Sequence, residues 1–251
     1  MTKGWSILRL ALACTALSAP TAFAADPASA IDTGDTAWVL ISAALVFIMT
    51  PGLGFFYGGM VRNKNVLTTI MQSFFIVAMI SVEWILIGYA MTFGSDINGF
   101  IGSLDKVGLT GVGMSVLANG TIPELAFVAF QCMFAVITPA LITGAFAERM
   151  KFHAFTVFIL LWAIFIYNPW PTGYGAAASW PSSALSTLPA AGYSYPVRRF
   201  GSYALHSSRQ RQGYGRIPML PHNLPMTVLG AALLWFGWFG FNAGSAFAAN
   251  G

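Results

Sequence analysis

The sequence predicts an all-α protein that crosses a membrane several times. Three observations predict it. Hydrophobic residues make up 57% of the chain and charged residues only 8%, against roughly 25% charged in a soluble domain. Apolar runs recur at the length of about 20 residues that a helix needs to cross a bilayer. The stretch 223–250, NLPMTVLGAALLWFGWFGFNAGSAFAAN, holds no Lys, Arg, Asp or Glu.

The N-terminus is a targeting segment in pattern. Lys3 and Arg9 precede an apolar run at 10–17, and AFA follows at 22–24. A basic region, a short apolar region and an A-x-A site make a cleavable signal peptide. Residues 1–24 are therefore expected to be removed, with the mature domain, 25–251, beginning on the periplasmic side of a bacterial inner membrane. Cys14 falls in the signal, and Cys132 stands alone in an apolar run, so no disulfide framework exists. A lone buried Cys most often acts as a small hydrophobe.

Spans are expected at 36–61, 66–93, 123–147, 152–169 and 224–250. Positive charge favours the cytoplasmic side. Starting outside, the first span exits at Arg62 and Lys64, the second returns to a loop bearing Asp96 and Asp105, and the third exits at Arg149 and Lys151. The fourth then ends outside near Pro169. Arg209, Arg211 and Arg216 should precede the last span on the cytoplasmic side, so a further crossing is needed between 169 and 209. That stretch carries Pro171, Pro181, Pro189, Pro196 and Arg198-Arg199. An interior Pro costs a helix about 3 kcal/mol, and a central Arg about 2.5–3.5 kcal/mol of insertion free energy. As written, the segment near 170–210 looks non-helical: either it is an extramembrane loop and the positive-inside reading fails, or it is not the natural protein.

Several blocks carry more than hydropathy. PGLGFFYGGMVRNKNVL stands at 51–67, AFQCMFA at 129–135, GAFAER at 144–149, PHNLPM at 221–226 and GWFGFNAGS at 237–245. In this order they resemble the ammonium transporter family (Amt/Mep/Rh). The resemblance covers most of 36–169 and 213–251. It implies a bundle of about eleven helices built as two inverted halves, a common transporter plan, and a homotrimer. The expectation is therefore the N-terminal half of an ammonium-transporter-like bundle, C-terminally truncated.

Ammonium transport demands a site that tells ammonium from water and then strips its water. Aromatic faces attract a cation by roughly 0.5–2 kcal/mol, and a hydroxyl can accept one of its N–H bonds. The resemblance assigns Phe134 to the outer recruitment site and pore gate, Phe241 to the gate beside it, and Ser245 to the outer mouth. Phe130 is a further aromatic there. The alternative for any Phe in a membrane helix is lipid or core packing. Glu83 is an acid inside a span. Such residues are functional by default, and a protonated, helix-packing carboxyl is the other reading. His153, His206 and His222 sit at a helix end, in the anomalous segment and in a Pro-bounded loop, and are read as outside the transport path.

The resemblance also implies an outer Trp, an anchoring Asp and two pore histidines. The Trp, the Asp and the first His belong in the stretch corresponding to 170–209, where none occurs in a matching context, and the second would fall beyond Gly251. Regrouping the codons of residues 170–191 by one nucleotide permits family-like strings that restore the Trp and the Asp. The reading is that 170–210 is translated out of frame. The function expected is a transmembrane ammonium or ammonia transporter or channel, incomplete or frameshifted in this copy. The alternative is an ammonium sensor using the same fold, and a PII-type protein is a possible regulatory partner. A metal-ligand cluster, a nucleophile elbow and a phosphate loop are all lacking, so no enzyme, cofactor or metal is expected. A net charge of +4 located mainly at span ends does not suggest nucleic acid.

Overall fold

The structure is a computed structural model, which describes residues 31–97, 101–117, 120–169, 216, 218 and 220–250. The expected signal peptide, 1–24, and the segment expected to be out of frame, 170–210, lie outside the described residues.

Helix α1, Thr33–Met60, starts where Asp32 caps it by accepting the Asp35 N–H at 2.8 Å. A 3-10 turn, Asn63–Asn65, leads into α2, Val66–Glu83. α2 continues through a π turn, Trp84–Gly88, into α3, Tyr89–Phe93. A two-stranded antiparallel hairpin follows, β1 Asp96–Ile97 with β2 Ile101–Gly102, then a 3-10 segment at Leu104–Leu109. Helix α4 is Glu124–Phe146. Helix α5, Phe152–Trp162, runs on through a second π turn, Ala163–Tyr167. Helix α6, Leu224–Ala243, begins at the cap Asn223, whose side chain accepts the Met226 N–H at 3.0 Å, with Pro225 in the first turn. It ends in a 3-10 turn, Gly244–Ala246.

Four of these helices are long and apolar enough to span a bilayer: Thr33–Met60, Asn63–Phe93, Glu124–Phe146 and Leu224–Ala246. The 11-residue α5 with its 5-residue π turn rises about 24 Å at about 1.5 Å per residue, somewhat less than the ~30 Å hydrocarbon core. The last helix is shorter than the apolar run suggests. It stops at Gly244, which is pressed against Ser42 and the Phe130 ring, and Phe247 then turns left-handed at φ 54°.

Helix α1 is the hub, with α6 along its length and α2 and α4 on its other sides. The α1–α6 seam runs antiparallel. Gly59 meets Asn223 and Thr227, Gly230 meets Phe56, Gly237 meets Met49, and Gly240 meets Leu45 and Ser42. A Cβ at Gly240 would sit 2.6 Å from Leu45 Cβ, and one at Gly230 would run into the Phe56 backbone N. Small residues are what allow such approach in lipid, where apolar burial between helices gains little. The outer faces remain apolar and exposed, with Trp235 75% and Phe239 64% accessible on α6.

The two ends differ in charge. At one end, Glu148 Oε1 accepts from the Arg62 guanidinium at 2.8 Å, the Arg62 N–H at 3.1 Å and the Asn65 amide at 2.7 Å. This ties the ends of α1, α2 and α4 together. Burial pushes the Glu148 carboxyl up, but the bonds from Arg62 and Asn65 prevail and hold it below the usual carboxylate range. At the other end, Lys106 Nζ reaches Glu124 at 2.6 Å, and Asp35 accepts from Thr121 Oγ1 at 2.5 Å and from the Ala249 N–H at 2.7 Å. Asn168 lies at this second end, its backbone O accepting from Thr92 at 3.2 Å. Asn223 lies at the first, its N–H donating to Gly59 O at 3.0 Å. Asn168 and Asn223 therefore stand at opposite ends of the bundle.

Candidate transport site

Helices α4 and α6 bring Phe134 and Phe241 together, with ring centroids 4.5 Å apart and planes inclined at 56°. Residues 134 and 130 lie one turn apart on α4, so their rings share a face. Phe130 packs edge-on against Phe134 at 4.8 Å. All three are deeply buried, at 0%, 2% and 4% exposure for Phe130, Phe134 and Phe241. Tilted and T-shaped pairs at these spacings are favourable because each ring offers its positive edge to a neighbour's negative face.

Ser245 is buried and donates its hydroxyl proton to the Phe241 carbonyl, one turn back, at 2.8 Å. With the proton committed to the backbone, the oxygen's remaining capacity is to accept. That suits an incoming N–H donor. The sequence-assigned residues Phe130, Phe134 and Phe241 thus form one aromatic cluster, and Ser245 is fixed to the backbone of one member.

The cluster extends further than the motifs indicate. Phe247 packs on Phe130 at 5.7 Å and on Phe127 at 5.4 Å. Phe127 meets Phe93 at 5.0 Å, and Phe93 meets Trp84 at 6.2 Å. Trp84 is held by its indole N–H to Val128 O at 3.3 Å. Trp238, 45% exposed, stacks on Phe241 at 5.0 Å and 25°. Phe247 was not legible as part of the site, because its contacts depend on the left-handed turn that ends α6. His153 and His222 are exposed on the surface, away from this cluster. His206 lies outside the described residues.

The sequence model described as Ammonium Transporter Family matches residues 37–251. An ammonium transporter of Mycobacterium tuberculosis (strain ATCC 25618 / H37Rv) is 45% identical over 246 residues, covering 88% of this chain and 52% of the relative. One from Bacillus subtilis (strain 168) is 45% identical over 226 residues, covering 87% and 54%. The crystal structure of Saccharomyces cerevisiae Mep2 superposes with a TM-score of 0.74 at 31% identity, covering 87% of this chain and 50% of that one. That of Candida albicans Mep2 gives 0.76 at 28%. A protein described as a sensor Amt protein shares the fold, with a TM-score of 0.70 at 24% identity. The chain spans about half the length of the curated relatives it matches. With its apolar helices it is a multi-pass membrane protein, and it belongs to the Ammonium Transporter Family.

Proposed function

We propose that this chain is the N-terminal half of a transmembrane ammonium or ammonia transporter or channel. Phe134 and Phe241 form its gate, Ser245 accepts an N–H bond at the outer mouth, and Phe130 backs the recruitment site. The observation that carries this reading is the buried Phe134–Phe241 pair beside a hydroxyl whose own proton is already spent. Tilted rings packed at 4.5 Å close the path to hydrated ions, and their faces favour a cation at the threshold.

The end bearing Arg62, Lys64, Arg149 and Lys151 faces the cytoplasm in this proposal, by the positive-inside tendency. Residue 31 then enters from the periplasm, after a cleaved signal at 1–24. Asn168 and Asn223 stand at opposite ends, and in this proposal the chain crosses between them. We assign that crossing to a natural reading of 170–210 in another frame. Resequencing the gene tests this: absence of a compensating insertion or deletion there would refute it. A homotrimer and a PII-type regulator on the cytoplasmic face complete the proposal.

The test is uptake of labelled methylammonium in cells lacking their own transporters. The chain is compared with a version restored in frame at 170–210 and extended by a relative's second half. Uptake by the restored version is expected, with Ser245→Ala lowering it about tenfold, since a hydrogen bond to a charged group contributes about 1.5 kcal/mol or more. Unchanged uptake in Ser245→Ala would remove the hydroxyl from the mechanism. A restored version that binds methylammonium without moving it would favour the sensor reading.

A further inference from the structure

Glu83 and Asn168 face each other between α2 and the end of α5, at the Trp84 end of the aromatic cluster. Glu83 is 5% exposed and Asn168 0%. Asn168 Nδ2 donates to Glu83 Oε1 at 2.6 Å. The second oxygen of each side chain, Glu83 Oε2 and Asn168 Oδ1, is buried with no hydrogen-bond partner. Gly88 gives the carboxyl its space: a Cβ there would meet Oε2 at 3.0 Å and Oε1 at 3.2 Å.

If Glu83 were ionised, both leftover atoms would be acceptors, buried together and facing a shortage of donors. No cation offsets the charge among the described ion pairs. Arg62 is engaged by Glu148 at one end, and Lys106 by Glu124 at the other. The neighbouring helices bring other titratable groups. From α1, the Tyr57 hydroxyl goes to Leu141 O at 3.0 Å. From α4, the Cys132 thiol goes to Ser81 Oγ at 3.7 Å, and Glu124 also takes the Tyr89 hydroxyl from α3 at 2.8 Å. α5 carries Tyr167 beside Asn168 and has His153 at its far end. The tyrosines and the cysteine among these supply no positive charge, Tyr57 stands toward the basic end against Gly144, and His153 is at the far end of α5.

One proton resolves the shortage. Placed on Oε2, it turns an acceptor into a donor, and Asn168 Oδ1 belongs to the same amide that already holds Oε1. A carboxylic acid and a primary amide then close a ring with two hydrogen bonds, and every polar atom of the pair is satisfied. Buried polar groups in native proteins are normally satisfied in this way, and lipid offers no water to do it instead. We propose that Glu83 binds a proton at Oε2 and is closed onto Asn168 as an acid–amide ring. It is an occupied proton site inside the membrane, made by side chains other than Phe134, Phe241 and Ser245.

Infrared spectroscopy of the full chain in lipid, with glutamate carboxyls carrying carbon-13, tests this. A protonated-carboxyl C=O band that shifts on glutamate labelling is expected, unchanged from about pH 5 to about pH 9, above the ordinary carboxyl range. Glu83→Gln puts an NH2 donor where the acid O–H stands, so this variant keeps the fold and loses the band. If the variant fails to fold, the labelled native chain still decides, because Glu124 and Glu148 are ion-paired carboxylates. Glutamate signals that are carboxylate throughout that range would overturn the proposal, as would a band that survives in Glu83→Gln.

Discussion

The α1–α6 seam and the α2–α5 contact join helices in opposite ways. Along the seam, Gly59, Gly230, Gly237 and Gly240 let backbones meet almost directly, and what holds there is shape. Between α2 and α5, two full-sized polar side chains meet in the interior, and what holds is a hydrogen bond of 2.6 Å. A bilayer permits both solutions, since helices in lipid associate through close packing or through polar contacts. The difference is in what each can sense. A contact made by shape responds to volume and ignores protons. A contact made by polar atoms tolerates volume changes better and answers to donors, acceptors and charge.

The largest effect should come from breaking shape. Gly230→Val drives a side chain into the Phe56 backbone, which cannot yield as a flexible side chain would. A destabilisation of about 3 kcal/mol is expected, read as lost folded protein and faster proteolysis in membranes. It should be the same at all pH values.

Next comes the polar knot at the basic end. Glu148 is held below its unfolded value of 4.5, so the stability it contributes is present above about that pH and lost as pH falls through the folded value. Thermal unfolding in detergent should show a decline below about pH 4.5, and Glu148→Gln should remove that decline while lowering stability at neutral pH by about 2 kcal/mol. An identical acid profile in Glu148→Gln would show that the carboxylate does not govern it.

Asn168→Ala sharpens the comparison from the other side. It removes the amide and leaves room, so the cost should be about 1–2 kcal/mol, in the range of polar contacts between membrane helices. Measured by unfolding, it should be smaller than for Gly230→Val. A larger loss would reverse the ranking of shape over polarity. The smallest effect expected is for Asn223→Ala, which deletes the cap of α6 at a cost of about 1 kcal/mol. The first amides of α6 should then exchange faster with solvent, with the seam unchanged.

How much of this was legible in the sequence depended on distance along the chain. The blocks PGLGFFYGG and GWFGFNAGS entered through the family resemblance, and glycines of both fall on the seam. Phe134, Phe241 and Phe130 were assigned by resemblance, and the rings do meet. Glu83 stood out as an acid in an apolar run, yet its partner did not, because Asn168 lies 85 residues away and reads as an ordinary helix-end Asn. Phe247 was hidden for a different reason. Its place against Phe127 and Phe130 depends on a left-handed residue, and such a turn at a bulky residue has no local sequence sign. The end of the last helix was missed likewise, since the apolar run continues past the point where Gly244 meets Ser42.

The two π turns set the phase of the helices that carry them. Each holds one residue more per turn than an α-helix would. One follows directly on Glu83, and the other ends just before Asn168. Deleting a residue from the first would rotate all of α3 relative to α2 by about 100°, swinging Tyr89 away from Glu124 and Thr92 away from Asn168. Deleting one from the second would turn Asn168 off Glu83 by the same angle. The interior contacts at this end of the bundle are therefore a property of helical phase, kept in step by two irregularities that a uniform pair of helices would not possess.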